Sequence, residues 1–177
     1  WGRDHLLDVG GGSGVFAAEA LRRFPELRAT VFDLPDVAAL ARARFTEEGL
    51  EGRGQAAAGN MLGDALPAGA DVVSLVRILH DHDDDAVRVL LRAVRRAIRS
   101  DGLLLLAEPM ADTRGAESVG AYFHLYLWAM RSGRPRSRRQ LARLLEEAGF
   151  ADVRERRSFQ PLLVRVLTAR PAAPAGP

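Results

Sequence analysis

Residues 6–14 read Leu-Leu-Asp-Val-Gly-Gly-Gly-Ser-Gly and lead into a helix-like stretch from Val15. An apolar run of this kind suits a buried parallel strand, and the glycines let the backbone turn tightly and approach a ligand with no Cβ in the way. The N–H groups at the start of the following helix are then free to meet whatever is bound. A second apolar run, Ala29 to Phe32, ends in Asp33, about twenty residues on, the interval at which a βαβ unit sets a carboxylate on a ribose. A glycine-rich loop alone is often only a turn; strand, loop, helix, strand and acid in register point to a nucleotide-cofactor loop.

The second chemically capable group is His80-Asp81-His82-Asp83-Asp84-Asp85, after the apolar run 71–79. Three readings compete. Asp83 to Asp85 suit the first turn of a helix, where carboxylates meet the positive end of its dipole. A His-x-His-x-Asp spacing suits zinc or iron, although only His5 and His124 remain as further histidines. In the third reading His80 lies at the carboxyl end of a strand, where open α/β sheets place ligands, and acts as a general base.

These residues need a scaffold, and the hydrophobic pattern provides one. Strands are predicted at Leu6–Val9, Ala29–Phe32, 71–79 and Leu103–Ala107, with a weak one near Gln55–Ala58. Helices are predicted at Val15–Phe24, Val37–Glu48 and Asp84–Arg99. Such alternation builds a parallel sheet covered on both faces. Val87, Leu90, Leu91, Val94 and Ile98 recur at three- and four-residue spacing, so one face of the third helix packs on the sheet. A short helix at Leu141–Ala148 closed by Gly149 follows, then two β-rich runs, Val153–Ser158 and Leu162–Thr168, bending near Gln160-Pro161 as a hairpin at the sheet's edge.

At 177 residues and 47% hydrophobic the chain has the size and composition of one globular domain. No apolar run approaches the ~20 residues of a membrane span, and a soluble, cytoplasmic protein is expected. The absence of cysteine removes disulfides, thiolate metal sites and cysteine nucleophiles. All 25 basic residues are arginines, set against 23 acids for a net charge of +2, a weak basis for nucleic-acid binding. The densest basic stretch, Arg131 to Arg139, is expected to be a solvated face at the start of a helix.

The motifs LLDVGGGSG, VFDLPDV, GNML, RILHDHDDDAV, LLAEPM and EEAGF, in that order and spacing, resemble the catalytic domain of S-adenosylmethionine-dependent O-methyltransferases of the plant caffeate and bacterial small-molecule type. The resemblance covers Leu6 to Thr168, and the region running into AEPMADTRGAESVGAYFHLYLWAMRSGRPRS is most similar to the bacterial carotenoid branch. It implies an α/β, Rossmann-like class I methyltransferase fold, with a mostly parallel seven-stranded sheet, helices on both faces and a C-terminal antiparallel hairpin. It also implies a catalytic domain over 1–170, followed by a disordered Pro/Ala/Gly tail at 171–177. Because Trp1 is not an initiator, a separate N-terminal helical domain that dimerises and closes one side of the pocket is expected to precede it.

Carried over residue by residue, the resemblance makes S-adenosylmethionine the cofactor, held by Asp8, Gly10, Gly12, Asp33, Leu34, Asn60, Met61 and Arg77. Gly10 and Gly12 pass its methionine end, with Arg77 alongside. Asp33 takes the ribose hydroxyls, Leu34 and Met61 flank the adenine, and Asn60 meets the adenine amino group. His80 becomes the catalytic base and Glu108 an acid that steadies it, with no metal required. Three positions depart from the pattern: Pro135 stands where a second acid is expected, Asn60 replaces an Asp, and His82 replaces a Trp. Tyr122, Phe123, Tyr126 and Met130, with Trp128, either pack on the sheet or wall in a hydrophobic hydroxylated acceptor, a 1-hydroxycarotenoid among the candidates. Two other readings stay open: a cofactor-binding module that has lost the reaction, and a nicotinamide dehydrogenase. The dehydrogenase loop expects a third glycine where Val15 stands.

Overall fold

The computed structural model describes residues 4–116, 121, 125, 127, 129 and 132–173. Alternation within single strands sets the layers, because neighbouring strand residues face opposite sides of a sheet. In β1 (His5–Val9), Leu6 packs with Ala17, Leu21, Val31 and Phe45, whereas Leu7 joins Val73, Leu90, Leu91 and Leu104. Both faces are therefore apolar and both are covered. The first carries α1 (Val15–Arg23) and α2 (Pro35–Glu47), and the second carries α3 (Asp84–Ala97) and α4 (Arg138–Glu147). In α3 the buried stripe is Val87, Leu90, Leu91 and Val94, the face that the spacing predicts.

Six further strands, β2 (Arg28–Asp33), β3 (Gly54–Ala58), β4 (Ala70–Val76), β5 (Ile98–Glu108), β6 (Phe150–Arg156) and β7 (Arg165–Pro171), complete one sheet. Its order is β3-β2-β1-β4-β5-β7-β6. Neighbours from β3 to β5 pair in parallel, and β7 pairs antiparallel with both β5 and β6. The mostly parallel, seven-stranded α/β sheet with an antiparallel C-terminal hairpin is thus the fold of this chain. The order in which successive strands are added reverses between the parallel neighbours β1 and β4, whose carboxyl ends open the crevice where such sheets bind ligands.

Element boundaries depart from the pattern, and four of the departures have a visible physical cause or consequence. β4 stops at Val76, because Arg77 takes a left-handed φ of 59° and Leu79–Asp81 form a 3-10 turn. The apolar run mimics a longer strand because Leu79 is fully buried, and burial demands the same residue type in a turn as in a strand. α3 ends at Ala97, and Ile98 leaves the helix face to pair with Ala70 as the first residue of β5. The hairpin strands begin three residues earlier and later than expected, at Phe150 and Arg165, with the bend closed by Leu163 N donating to Gln160 O at 3.0 Å. Finally, β7 runs to Pro171, which pairs with Phe150, and Ala172 N donates to Gly149 O at 2.9 Å, so ordered backbone continues past the start of the expected tail.

Candidate active site

The glycine loop leaves β1 under tight constraint. A Cβ at Gly10, whose φ is 69°, would stand 2.5 Å from Ile78 Cδ1, and a Cβ at Gly11 would stand 2.5 Å from Asp8 Oδ2. The loop is tied to the end of β2 by Asp33: Gly12 N donates to Oδ2 and Leu34 N donates to Oδ1, each at 2.8 Å. Beneath it Asp8 is 1% exposed. Ser74 Oγ donates to Asp8 Oδ1 at 2.6 Å, while Oδ2 has no hydrogen-bond partner. Burial pushes the Asp8 carboxyl up to about 6, against the Ser74 hydrogen bond and with the added repulsion of Asp33.

A cavity of about 230 Å³ opens over this loop. Gly10, Asp33, Leu34, Asn60 and Met61, all expected at a cofactor, line it together. Phe32, Gly59, Leu62 and His82 complete the wall. Of these, His82 carried a signal in the sequence as a departure from the family pattern, while Phe32, Gly59 and Leu62 belong to the motifs VFDLPDV and GNML with no role assigned to them. Asn60 shapes its own loop, since its N donates to Asp64 Oδ2 at 2.7 Å and its Oδ1 accepts from Leu62 N at 3.0 Å. That amide oxygen keeps one lone pair for a ligand. Burial holds the His82 imidazole below its ordinary value, the Asp81 charge acting in the opposite sense, so the ring is neutral at pH 7. Arg77, expected beside the methionine end, has a φ of 59° and is exposed, and like Asp8 and Gly12 it is not among the residues that line this cavity.

His80 sits on the 3-10 turn rather than at a strand end, and is 5% exposed. Glu108, the last residue of β5, reaches it from below. Its Oε1 accepts from Ile78 N at 2.8 Å and Leu79 N at 2.7 Å, and its Oε2 lies 2.7 Å from His80 Nδ1. A carboxylate fixed in this way accepts a hydrogen bond from Nδ1–H, so that whenever the ring is neutral its lone pair is on Nε2. Nε2 in turn lies 3.3 Å from Asp81 Oδ1. The gap between His80 and Pro109, Arg134 and Leu141 is too small for a water molecule. Pro135 is buried and supplies no acid.

The acidic run does more than face a helix dipole. Asp83 takes the N-cap position of α3, but its side chain does not cap; its Oδ1 accepts from Gly133 N at 3.1 Å. Asp84 pairs with Arg134 and Arg136. Burial raises its pKa, and the two guanidinium hydrogen bonds outweigh that, holding the carboxyl below the usual range. Arg136 also corrects the solvated-face expectation for 131–139: it is 2% exposed, and donates to Asp84 Oδ1, Leu79 O and His82 O at 2.8, 2.6 and 2.7 Å. Among the described residues no three His, Asp or Glu side chains group closely enough to hold a metal ion, and no helix is long and apolar enough to cross a membrane. Tyr122, Phe123, Tyr126, Trp128 and Met130 lie outside the described residues.

A glycine loop, a strand-end acid and a cavity at the point where the sheet reverses define a Rossmann-like cofactor-binding domain, and the adjoining His–Glu pair gives it a candidate base. A family model described as O-methyltransferase domain matches residues 2–151. The chain belongs to this family of S-adenosylmethionine-dependent O-methyltransferases. It is 41% identical over 165 residues to the demethylspheroidene O-methyltransferase of Cereibacter sphaeroides, a match covering 93% of this chain and 44% of that protein. The solved mitomycin 7-O-methyltransferase MmcR superposes with a TM-score of 0.90 at 35% identity, over 97% of this chain and 50% of that one. The neocarzinostatin-pathway O-methyltransferase NcsB1, solved with S-adenosylmethionine and 2-hydroxy-5-methyl naphthoic acid, gives 0.81 at 34% identity, over 94% and 48%. The chain thus spans less than half the length of the curated relative. The residues present fit the family's cofactor: the loop excludes side chains at Gly10 and Gly11, and the buried Asp8 Oδ2 lacks a partner.

Proposed function

We propose that this chain transfers a methyl group to a hydroxyl of a hydrophobic small molecule, with His80 as general base. The His80–Glu108 pair carries this reading, because Glu108 is itself locked by two backbone N–H groups and leaves Nε2 as the ring's basic nitrogen. S-adenosylmethionine, when bound, supplies an already activated methyl on its sulfonium. The chain's own residues then have two tasks, to position and to take a proton. Asp33 holds the ribose, Leu34 and Met61 enclose the adenine with Asn60 at its amino group, and Asp8, Gly10 and Gly12 serve the methionine end. Positioning of this kind is worth on the order of 7 kcal/mol or more, and a neutral imidazole accepting the hydroxyl proton adds roughly 10²–10⁴ in rate.

The similarity to demethylspheroidene O-methyltransferase makes a 1-hydroxycarotenoid the first acceptor to try. Tyr122, Phe123, Tyr126 and Met130 are assigned to its wall, and dimerisation to a separate N-terminal domain of the longer relatives. The cytoplasm is its assigned compartment. Two observations favour a second reading, a binding module without transfer: Pro135 replaces an acid, and the gap between His80 and Pro109, Arg134 and Leu141 admits no water. Incubation with methyl-labelled S-adenosylmethionine and hydroxylated acceptors separates the two. Transfer that falls about 10²-fold or more in His80→Ala, with cofactor retained, supports the base; retention of label without transfer to any acceptor supports the module, and retention of NADH instead would restore the dehydrogenase.

A further inference from the structure

We infer that Arg136 is the positioning residue for His80, holding the turn that carries the imidazole while Asp84 holds Arg136. The inference rests on the base assignment above and extends it to a residue more than fifty positions away.

The turn cannot hold its own shape. Its two internal backbone bonds, Asp81 N to Ile78 O and His82 N to Leu79 O, are both long at 3.3 Å, and a single 3-10 turn has poor hydrogen-bond geometry in any case. External partners supply what is missing from both sides. Glu108 takes the N–H groups of Ile78 and Leu79. Arg136 takes the carbonyls of Leu79 and His82, the residues that bracket His80 and Asp81. Ser132 Oγ donates to the remaining Asp81 carbonyl at 3.1 Å, and Gly133 lies so close to His80 O that a Cβ there would overlap it.

Only a guanidinium fits this place. The planar fork addresses two carbonyls and a carboxylate at once, with side-chain exposure of 1%; an ammonium is a point charge that cannot span them. The Glu108–His80 bond fixes the ring only if the turn beneath it stays still, and misplacement of a reacting group by about 1 Å can cost on the order of 10² in rate. Arg136 therefore sets where Nε2 points without touching either substrate.

The test compares wild type, Arg136→Lys and Asp84→Asn in full-length protein carrying ¹⁵N-histidine. The readouts are the His80 Nδ1–H resonance, single-turnover transfer to a 1-hydroxycarotenoid and S-adenosylhomocysteine affinity. In both variants the hydrogen-bonded Nδ1–H signal should shift upfield or broaden away, and transfer should fall roughly 10- to 100-fold, while affinity drops by no more than about threefold. Asp84 is half-buried in the first turn of α3, so its variant decides the question should Arg136→Lys fail to fold. An unchanged resonance, or transfer that declines only in step with affinity, overturns the inference. If wild type transfers no methyl to any acceptor, the base assignment fails, and the resonance alone still decides whether Arg136 positions the ring.

Discussion

Asp8→Asn should make the protein more stable and its cofactor site weaker. The Asp8 carboxyl rises from an ordinary 3.8 to about 6, chiefly because burial removes it from water. Ionised at pH 7, it therefore destabilises the fold by about 3 kcal/mol, at 1.36 kcal/mol for each pH decade of displacement. The sign follows from proton counting. Between pH 4 and 6 the folded chain binds this proton and the unfolded chain has released it, so the Asp8 contribution to stability falls as pH rises and is fully lost above about 6. Asparagine keeps the shape and can still accept from the Ser74 hydroxyl at Oδ1 but carries no charge, and its Nδ2 amide takes the unpartnered place of Oδ2 at a cost that does not vary with pH. Urea unfolding at pH 5, 6, 7 and 8 should show the variant gaining on wild type as pH rises, by about 2–3 kcal/mol at pH 7. Taking the difference between the two proteins removes Asp84 and Glu155, whose lowered pKa values act in the opposite sense, losing stability as pH falls. Calorimetry with S-adenosylhomocysteine should show at least a tenfold weaker complex, because among the described residues Oδ2 is the one buried side-chain oxygen left without a partner and hydrogen bonds to charged groups contribute ~1.5–3 kcal/mol. A difference between the two proteins that does not change between pH 5 and 7 would refute the reasoning.

Asp33→Ala should weaken S-adenosylhomocysteine binding at least tenfold in the same calorimeter, since the loop anchors at Gly12 N and Leu34 N vanish together with the proposed ribose acceptor; unchanged affinity would mean that Asp33 has no part in holding the cofactor. Glu108→Gln keeps an oxygen for the Ile78 and Leu79 N–H groups but turns an amide N–H toward His80 Nδ1. The ring should flip its tautomer, lose the Nε2 lone pair and cut transfer by roughly 10², with ¹⁵N shifts of the ring reporting the flip. Dialysis against EDTA should change neither cofactor affinity nor transfer, because Asp83 and Asp84 already serve Gly133 and the two arginines; activity lost on dialysis and restored by zinc or iron would revive the metal reading.

Much of the scaffold was legible along the chain. Leu6 and Leu7 fall on opposite faces because a strand alternates, and Val87, Leu90, Leu91 and Val94 fall on one face because a helix repeats near 3.6. These rules act over a few contiguous residues. The glycine loop and Asp33 were legible for the same reason, since a βαβ unit brings them together over a short span. His80 was legible as a candidate base from its place after an apolar run, Glu108 only through the family resemblance, and the structure brings the two to 2.7 Å.

What stayed hidden depends on which distant groups meet. In sequence Arg136 is one of five arginines between 131 and 139, each equally suited to water. Burial of that one follows from three acceptors converging on it, from Leu79, His82 and Asp84. The 3-10 turn under His80 was hidden too, because Ile78 and Leu79 are apolar whether a strand or a turn buries them. Asp8 reads as the last acid of a strand, and only the packing of β4 and the glycine loop around it removes water from one oxygen and leaves that oxygen unpaired. Periodicity and composition determine which faces are apolar and where the chain turns; the pairing of polar groups across the core is decided by tertiary packing, since desolvation costs a buried polar atom dearly unless some remote residue happens to reach it.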